Sequence, residues 1–281
     1  MNFSITRSLT LSYFRESNRI LIFMTSFVID VLPKQLRRFF QSSKAYIGLI
    51  ISCFIIATWA FSIVILLNLN IPETNIIVVL IAILCRAFLQ TGLFITAHDA
   101  MHGIVFAKNP KINNFIGHIT VGLYAFFSYK KLLKRHSEHH ENPASELDPD
   151  YHDGKRKNFF SWYFYFMFRY WSWLRFAGMT IVYHSVRITF HIPEINLLVF
   201  WAAPLLLSSI QLFYFGTYLP HREPSEGYQN SHRTKSIYRP FLWSFITCYH
   251  FGYHEEHHKY PYVAWWELPM IVKNSRNTRL V

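Results

Sequence analysis

Histidine carries the clearest chemical signal in this sequence. The chain has 15 histidines. Eight of them fall into the three short boxes "HDAMH", "HSEHH" and "HEEHH", which contain His98, His102, His136, His139, His140, His254, His257 and His258. Residues three or four apart share one face of a helix, so each box can direct several imidazoles to the same place. This pattern predicts metal binding.

The size of the set indicates how many ions it serves. A tetrahedral zinc site uses at most four protein ligands, so eight imidazoles gathered in one place imply two ions. Imidazole binds zinc, iron, copper and nickel alike. The spacing therefore predicts a dinuclear site without naming the metal.

The third box permits two kinds of chemistry. His254, Glu255 and His258 satisfy H-E-x-x-H, the zinc-protease pattern in which the glutamate is the general base. The same letters also read as H-x-x-H-H, which supplies three imidazoles and needs no glutamate. An intramembrane zinc protease would leave the other two boxes unexplained, and a membrane metal carrier would leave their fixed spacing unexplained. Both stay open beside an enzyme that uses all three boxes.

Long apolar segments must position these boxes. The chain is 52% hydrophobic and only 16% charged, whereas about a quarter of the residues of a soluble domain are charged. Ala45–Leu69 and Ile195–Leu219 carry no charge, and Ile76–Ala97 is interrupted only by Arg86. Each can cross the roughly 30 Å hydrocarbon layer. Trp173–Phe190 is a fourth candidate, so we expect an all-α integral membrane protein with about four transmembrane helices.

Shorter apolar segments are expected at the membrane surface or inside the protein. Ile20–Leu32 is too short to span and is predicted to be interfacial or buried. Phe115–Phe127 favours a re-entrant or interfacial segment, and the aromatic stretch Phe159–Trp173 suits the headgroup region. We find no linker or repeat. Residues 1–281 are therefore predicted to form a single membrane domain, with residues 1–44 as a cytoplasmic or interfacial segment.

The net charge of +12 lies mainly beside the apolar segments. The basic residues flanking them include Lys34, Arg37, Arg38, Lys44, Lys130, Lys131, Lys134, Arg135, Lys155, Arg156 and Lys157. Such placement indicates contact with lipid headgroups rather than with nucleic acid. The loop Asn70–Asn75 has no basic residue, so the positive-inside rule places the N-terminus in the cytoplasm. Counting spans from there predicts that all three boxes lie on the cytoplasmic face.

Five stretches extend the pattern beyond the histidines. They are "GLFITAHDAMHG", "KNPKINNFIG", "HHENPASELDPDYH", "QLFYFGTYLPHR" and "SFITCYHFGYHEEHHKYPYVAWWELP", spread from residue 92 to residue 269. In content and order they resemble the β-carotene ketolase family, within the fatty-acid desaturase and hydroxylase superfamily of membrane di-iron oxygenases.

The resemblance implies an O2-dependent, non-haem carotenoid ketolase. Such an enzyme introduces keto groups at C4 of the β-ionone rings of β-carotene by successive hydroxylations, giving echinenone and then canthaxanthin. The resemblance also implies two iron ions, O2 as co-substrate, an electron donor such as reduced ferredoxin, and an apolar carotenoid that enters from the bilayer. A carotenoid hydroxylase or a lipid desaturase of the same superfamily remains an alternative.

The resemblance further assigns the eight box histidines as metal ligands. It implies a ninth histidine ligand before the last box, and His221 in "YLPHR" is our choice. His232 in "NSHRTKS" is the alternative, or else a neighbour that supports a ligand. His250, four residues before His254, is expected to pack among aromatic rings.

Three carboxylates lie next to the boxes. Asp99, Asp148 and Asp150 could each orient an imidazole through its second nitrogen, or could be solvated surface acids. His184 and His191, outside the boxes, are expected to be structural or interfacial.

Overall fold

A computed structural model describes the backbone of residues 34–278 and the side chains of residues 46–273. The chain divides into two units, Met1–Ile47 and Gly48–Val281, and the second contains the three boxes. Every regular element in the described part is a helix, so the all-α expectation is confirmed there. The expected segment Ile20–Leu32 lies outside the described residues. A single domain over residues 1–281 stays a prediction.

The helices follow one another with short connections. Along the described residues they are α1 (Lys34–Leu67), α2 (Ile76–Met101), α3 (Pro110–Ala125), α4 (Tyr129–Glu141), α5 (Phe159–Arg169), α6 (Trp173–Thr189), α7 (Glu194–His221), α8 (Phe241–Cys248), α9 (His254–Lys259) and α10 (Leu268–Thr278). A 3₁₀ turn, Ile71–Glu73, lies between α1 and α2.

Three segments of the described chain are long and apolar enough to cross a membrane. They are Tyr46–Leu67 of α1, the whole of α2 and the whole of α7, with 22, 26 and 28 residues. At about 1.5 Å per residue each exceeds the roughly 30 Å hydrocarbon layer. Helix α6, predicted as a fourth span, has 17 residues and is not among them. A count of four transmembrane helices therefore stays a prediction, as does an interfacial position for Phe115–Phe127, most of which lies in α3.

Polar residues placed just before apolar runs begin several helices. The side chains of Asn75, Asn109, Asn158 and Ser172 each accept a hydrogen bond from a backbone N–H two or three residues further on. These N-caps satisfy N–H groups that have no partner within the helix. The Asn75 cap sets the start of α2 at Ile76, and the last turn of this helix contains His98, which therefore lies at the end of the span.

Arg86, the charge inside the second apolar segment, ties three helices together. Its side chain is fully buried and donates hydrogen bonds to the carbonyl oxygen of Trp59 in α1 at 2.7 Å and to that of Phe200 in α7 at 3.3 Å. The Trp59 indole donates to the Gln90 side chain at 2.7 Å. A charge within a bilayer is tolerated when protein groups replace water in this way.

Helix α7 departs from regular α geometry twice. Leu198–Ala202 and Tyr214–Tyr218 are π-helical stretches, in which the hydrogen bonds reach one residue further than in an α-helix. Each such stretch rotates the following residues by about 100° relative to an unbroken α-helix. Since the second stretch directly precedes Leu219–His221, it sets the direction of His221.

Gly117 allows α3 to pack against α4. A methyl group at Gly117 would lie 2.2 Å from the ring of Tyr129. That ring cannot move aside easily, because it is buried and its hydroxyl donates to the Ala100 carbonyl oxygen at 2.7 Å. We expect Gly117→Ala to lower the free energy of unfolding by about 1–3 kcal/mol through overpacking.

The matched control for this substitution lies in the same helix. At Gly122 an added methyl group meets nothing within 4 Å, so Gly122→Ala should be neutral or stabilising by up to about 1 kcal/mol. Thermal unfolding in detergent measures both. Equal midpoints for the two variants would contradict the close contact at Gly117.

Candidate metal centre

The structure gathers nine histidines into two groups. Within each group the ligand atoms lie within 4.8 Å of one another. The first group, called here the five-histidine group, consists of His98, His102, His136, His140 and His257. The second, the four-histidine group, consists of His139, His221, His254 and His258. These are the eight box histidines and His221.

Nitrogen spacing in the four-histidine group suits a shared ion. The Nε2 atom of His258 lies 3.2 Å from Nε2 of His139 and 3.2 Å from Nε2 of His254. His254 Nε2 lies 3.0 Å from Nε2 of His221. Two nitrogens bound to one ion at about 2.1 Å, at angles of 90–109°, are roughly 3.0–3.4 Å apart. The donor set therefore fits a metal ion.

The five-histidine group has similar spacing. His136 Nε2 lies 2.7 Å from His102 Nε2, and His140 Nε2 lies 3.1 Å from His257 Nε2. The Nε2 atom of His98 is buried and has no hydrogen-bond partner in the described chain. A buried nitrogen without a partner carries a free-energy cost that metal coordination would remove. This group also fits an ion.

The opposite nitrogen of three ligand candidates is already engaged. Asp99 Oδ1 lies 3.3 Å from His98 Nδ1, and Asp148 Oδ1 lies 2.9 Å from His139 Nδ1. His221 Nδ1 lies 3.2 Å from a backbone carbonyl oxygen. When Nδ1 donates its proton to such an acceptor, Nε2 keeps the lone pair that a metal needs. Both carboxylates are buried, so neither is a solvated surface acid.

Most of these rings are also in the neutral form that metal binding requires. Burial, reinforced by repulsion from neighbouring imidazoles, lowers the pKa of His140 to about 2, and burial lowers that of His102 to about 4. Both rings are neutral near pH 7, the form that coordinates a metal. His139 and Asp148 behave differently from these rings. Burial disfavours the charged form of both groups, but the attraction between the two charges outweighs the effect of burial. The pKa of His139 is therefore raised and that of Asp148 is lowered.

Asp150 plays a different part from Asp148 although only two residues separate them. It accepts a hydrogen bond from the hydroxyl of Tyr170 in the turn after α5. Burial raises the pKa of Asp150. Its nearest oxygen is 3.9 Å from His139 Nδ1, beyond hydrogen-bond distance. Asp148 is therefore the carboxylate that holds His139.

Several residues singled out in the sequence lie outside both groups. The ring of His232 is centred 6.1 Å from that of His258, and the ring of His250 packs 4.7 Å from that of Phe241. Of the neighbouring glutamates, Glu255 is half-buried, whereas Glu256 is buried and accepts hydrogen bonds from the hydroxyls of Ser236 and Tyr238.

Two tyrosines near the site were not expected from the sequence. The hydroxyl of Tyr228 donates to the backbone carbonyl oxygen of His221 at 2.7 Å, and it lies 2.9 Å from the hydroxyl of Tyr151. The two tyrosines are far apart in the sequence and follow no metal-binding spacing. Only the folded chain places them beside a ligand candidate.

A cavity of about 520 Å³ adjoins both histidine groups. His98 and His136 from the five-histidine group, and His139 and His254 from the four-histidine group, form part of its wall. Most of the remaining wall is apolar or aromatic, drawn from α2, α5, α6 and α7. The arrangement can bring a large apolar molecule beside two metal positions.

Comparisons with known proteins agree with this arrangement. The family model described as "Fatty acid desaturase" matches residues 74–195 and 170–279. A "Zeaxanthin 4-ketolase" of Chlamydomonas reinhardtii is 41% identical over 199 residues, 69% of this chain and 44% of that protein. A "Beta-carotene 4-ketolase 3" of Haematococcus lacustris is 44% identical over 192 residues, 65% of this chain and 58% of that protein. A "Beta-carotene ketolase" of Paracoccus sp. (strain PC1) is 39% identical over 201 residues, 70% of this chain and 81% of that protein.

These matches differ in how much of each relative they cover. The chain spans about half the length of the algal relatives it matches and most of the bacterial one. No solved structure matches this chain. The family model covers more than half of the chain, including every histidine of both groups. This protein belongs to the fatty acid desaturase family, and within that family it is similar to the β-carotene ketolases.

Proposed function

We propose that this chain introduces keto groups at C4 of the β-ionone rings of β-carotene, yielding echinenone and then canthaxanthin. The observation that carries the proposal is the apolar cavity beside two histidine groups. Similarity to curated ketolases supports the choice of a carotenoid over another lipid. β-Carotene has no polar group, so its binding free energy must come from close van der Waals packing against the apolar wall.

We propose two iron ions as the resident metals. The five-histidine group would hold one and the four-histidine group the other. When bound, the irons would supply O2 activation next to an allylic C–H bond. Imidazole alone does not distinguish iron from zinc or copper, and the choice of iron rests on the similarity to the ketolases.

The reaction balances as two hydroxylations at one carbon. Each replaces a C–H bond with C–OH and consumes one O2, two electrons and two protons, with release of one water. The second gives a geminal diol, which loses water to become a ketone. An electron donor is therefore required, and we propose a small acidic carrier of the ferredoxin class.

The residues of the chain orient the metals and exclude water. Asp99 and Asp148 fix the rings of His98 and His139, so both imidazoles present Nε2 without rotating. The apolar wall keeps solvent away from a reactive centre and positions a nonpolar ring beside it. Both roles follow from contacts present before substrate binds.

We also propose that the histidine end of the bundle faces the cytoplasm. Helix α4 carries three of the nine histidines and also the exposed side chains of Lys130, Lys131 and Lys134. Basic residues beside spans are retained on the cytoplasmic side. An acidic electron carrier would be attracted to the same surface.

The role of Glu255 separates this proposal from a zinc protease. Glu255→Gln should retain bound metal and keep ketone formation within about two- to threefold, since half-exposed side chains outside a site contribute little. A protease that used the glutamate as its base would lose its activity instead. Metal content and pigment turnover measured on the same preparation distinguish the two kinds of enzyme. A near-complete loss of ketone formation with the metal retained would show that Glu255 takes part in the reaction and would contradict its place outside the site.

The decisive experiment is expression in cells that accumulate β-carotene, followed by pigment chromatography. Echinenone and canthaxanthin are the expected products. A known ketolase expressed in parallel controls for O2 and reductant. If that control forms ketones while this chain leaves β-carotene unchanged, the proposed function is wrong.

A further inference from the structure

The cavity is elongated, and the histidines lie near one of its ends. Its wall along α7 runs from Trp201 to Thr217, which is roughly 24 Å at 1.5 Å per residue. Thr217 lies one turn before His221 of the four-histidine group, whereas Trp201 lies at the far end, beside Tyr183 of α6. This shape suits a rod-like polyene that lies along α7 with one of its rings at the histidine end.

Phe251 lies at the histidine end of this cavity. Its side chain is buried and forms part of the cavity wall. The centre of its ring is 4.8 Å from the ring centre of His98 in the five-histidine group and 5.1 Å from that of His254 in the four-histidine group. Both of these histidines line the cavity as well. A substrate ring that lies beside both histidines therefore also contacts Phe251.

Gly216 fixes the position of the Phe251 ring. It lies in the π-helical stretch Tyr214–Tyr218 and also lines the cavity. A methyl group added at Gly216 would lie 2.5 Å from Cε1 and 2.8 Å from Cδ1 of Phe251, so the edge of the ring rests directly against the backbone of α7. The backbone N–H of Phe251 donates to the Cys248 carbonyl oxygen at 2.7 Å, which closes the turn that carries the ring. The ring is therefore held by α7 on one side and by its own turn on the other.

The depth to which a β-ionone ring enters the cavity bears on which of its carbons reacts. C3 is the ring carbon farthest from the polyene, and C4 is bonded to it. A ring that enters end first therefore brings both carbons to the histidine end. They are separated by one C–C bond of about 1.5 Å. Since a displacement of about 1 Å can change a reaction rate roughly 100-fold, a small change in depth can move the reaction from one carbon to the other.

We propose that Phe251, held by Gly216, determines the position of oxygenation by limiting how deeply the ring enters, so that C4 rather than C3 lies beside the histidine groups. This inference rests on the proposed ketolase function and adds the residue that selects the carbon. The C4–H bond is allylic and weaker than the C3–H bond, so bond strength also favours C4. A shorter side chain should therefore add reaction at C3 to reaction at C4. Each hydroxyl group at C3 would consume one O2, two electrons and two protons, as at C4.

Phe251→Leu tests this proposal, because it keeps an apolar side chain but leaves space where the far edge of the ring lay. The purified protein with its metal bound is given β-carotene in lipid vesicles with reductant. The products are separated by chromatography against standards that carry oxygen at C3 or at C4. The ratio of C4 to C3 products should fall by about 10- to 100-fold relative to the wild-type protein. The metal content should stay at the wild-type value, since the substitution removes no ligand atom.

A double variant tests the contact between the two residues. In Gly216→Ala combined with Phe251→Leu, the new methyl group occupies part of the volume that the aromatic ring leaves. Because effects at contacting positions are not additive, the double variant should recover at least about threefold of the lost ratio of C4 to C3 products.

Phe176→Leu is the matched control. Phe176 also lines the cavity, but it belongs to α6, where its ring packs 5.4 Å from that of Trp171. This variant makes the same chemical change in another part of the wall. It should keep the wild-type ratio of C4 to C3 products, whatever its rate.

The outcomes separate this inference from the function on which it rests. If Phe251→Leu forms only C4 products, Phe251 does not select the carbon. Loss of metal from this variant would assign Phe251 to the support of the histidines and would likewise overturn the proposal. Equal shifts of the product ratio in Phe251→Leu and Phe176→Leu would indicate a general loosening of the cavity instead. If the wild-type protein with its metal bound forms no ketone while a known ketolase does, the proposed function itself is wrong.

Discussion

Replacing His258 with alanine is expected to remove one metal ion per chain and to reduce ketone formation by more than roughly 100-fold. A loss of about 100-fold is the largest effect usually seen when a residue that only supports a metal ligand is changed. Removing a ligand itself should therefore cost more than this. His258 Nε2 lies 3.2 Å from both His139 Nε2 and His254 Nε2, a more central position than a ligand with one near neighbour. Only three histidines would remain in its group.

The five-histidine group should respond less severely to the same kind of change. Removing His102 leaves four imidazoles there, enough for a complete tetrahedral set. In His102→Ala we therefore expect the ion of the five-histidine group to bind more weakly but to be retained in a fraction of the chains. The two variants together test whether the groups hold separate ions.

Metal analysis after anaerobic purification, combined with pigment turnover, measures both effects. His118→Ala is the matched control, since His118 is an exposed histidine outside both groups. His118→Ala should have the metal content and the pigment turnover of the wild-type protein. Two ions per chain in His258→Ala would show that His258 is not a ligand.

Local spacing explains why much of the site could be predicted. In each box, histidines three or four residues apart can share one helix face, a property of a single helix turn. Accordingly His136 and His140 lie together in the five-histidine group, and His254 and His258 lie together in the four-histidine group. His98 and His102 at the end of α2 illustrate this. Span length and charge, which are also local quantities, led to the expectation that the three boxes lie on one membrane face. The four spans and the cytoplasmic side in that expectation stay predictions.

Other parts of the site depend on contacts that no local pattern records. His221 came from the resemblance alone, and its direction depends on the π-helical stretch Tyr214–Tyr218. Asp148 and Asp150 belong to one short motif, yet only Asp148 lies within hydrogen-bond distance of His139. Asp148 also accepts hydrogen bonds from the backbone of Ala144 and Asp150, whereas Asp150 accepts one from Tyr170, which lies beyond the loop.

The polar residues of α6 show the same limit. In sequence, Arg175, His184 and Arg187 are equally unusual within an apolar segment and permit either an interior lining or contact with the headgroups. The structure separates them, because Arg175 and His184 line the cavity whereas Arg187 pairs with Glu194. Helical phase alone does not settle which side of α6 meets the rest of the protein.

Changing Asp148 to asparagine is expected to lower metal affinity or turnover by about 10- to 100-fold, the usual effect of losing the partner of a metal-binding histidine. The buried carboxylate accepts three N–H groups. Oδ1 accepts from His139 Nδ1 at 2.9 Å and from the Asp150 backbone at 2.8 Å, while Oδ2 accepts from the Ala144 backbone at 2.8 Å.

Asparagine cannot reproduce this arrangement in either orientation. Its amide has one acceptor oxygen and one NH2 group. Because both positions of the native carboxylate face donors, the NH2 group must oppose an N–H whichever way the amide turns. It either displaces the His139 ring or breaks the loop contact to Ala144, and the negative charge that holds the His139 proton is lost in both cases.

Asp153→Asn provides the comparison that isolates the histidine contact. Asp153 lies in the same loop and also accepts backbone N–H groups, from Lys155 at 3.1 Å and Arg156 at 2.9 Å, but it is exposed and touches no ligand candidate. Its loss should change metal content and turnover by less than about twofold. If the two variants lose metal and activity equally, Asp148 acts only through the loop backbone. If only Asp148→Asn loses metal and activity, Asp148 acts by positioning His139 in the four-histidine group.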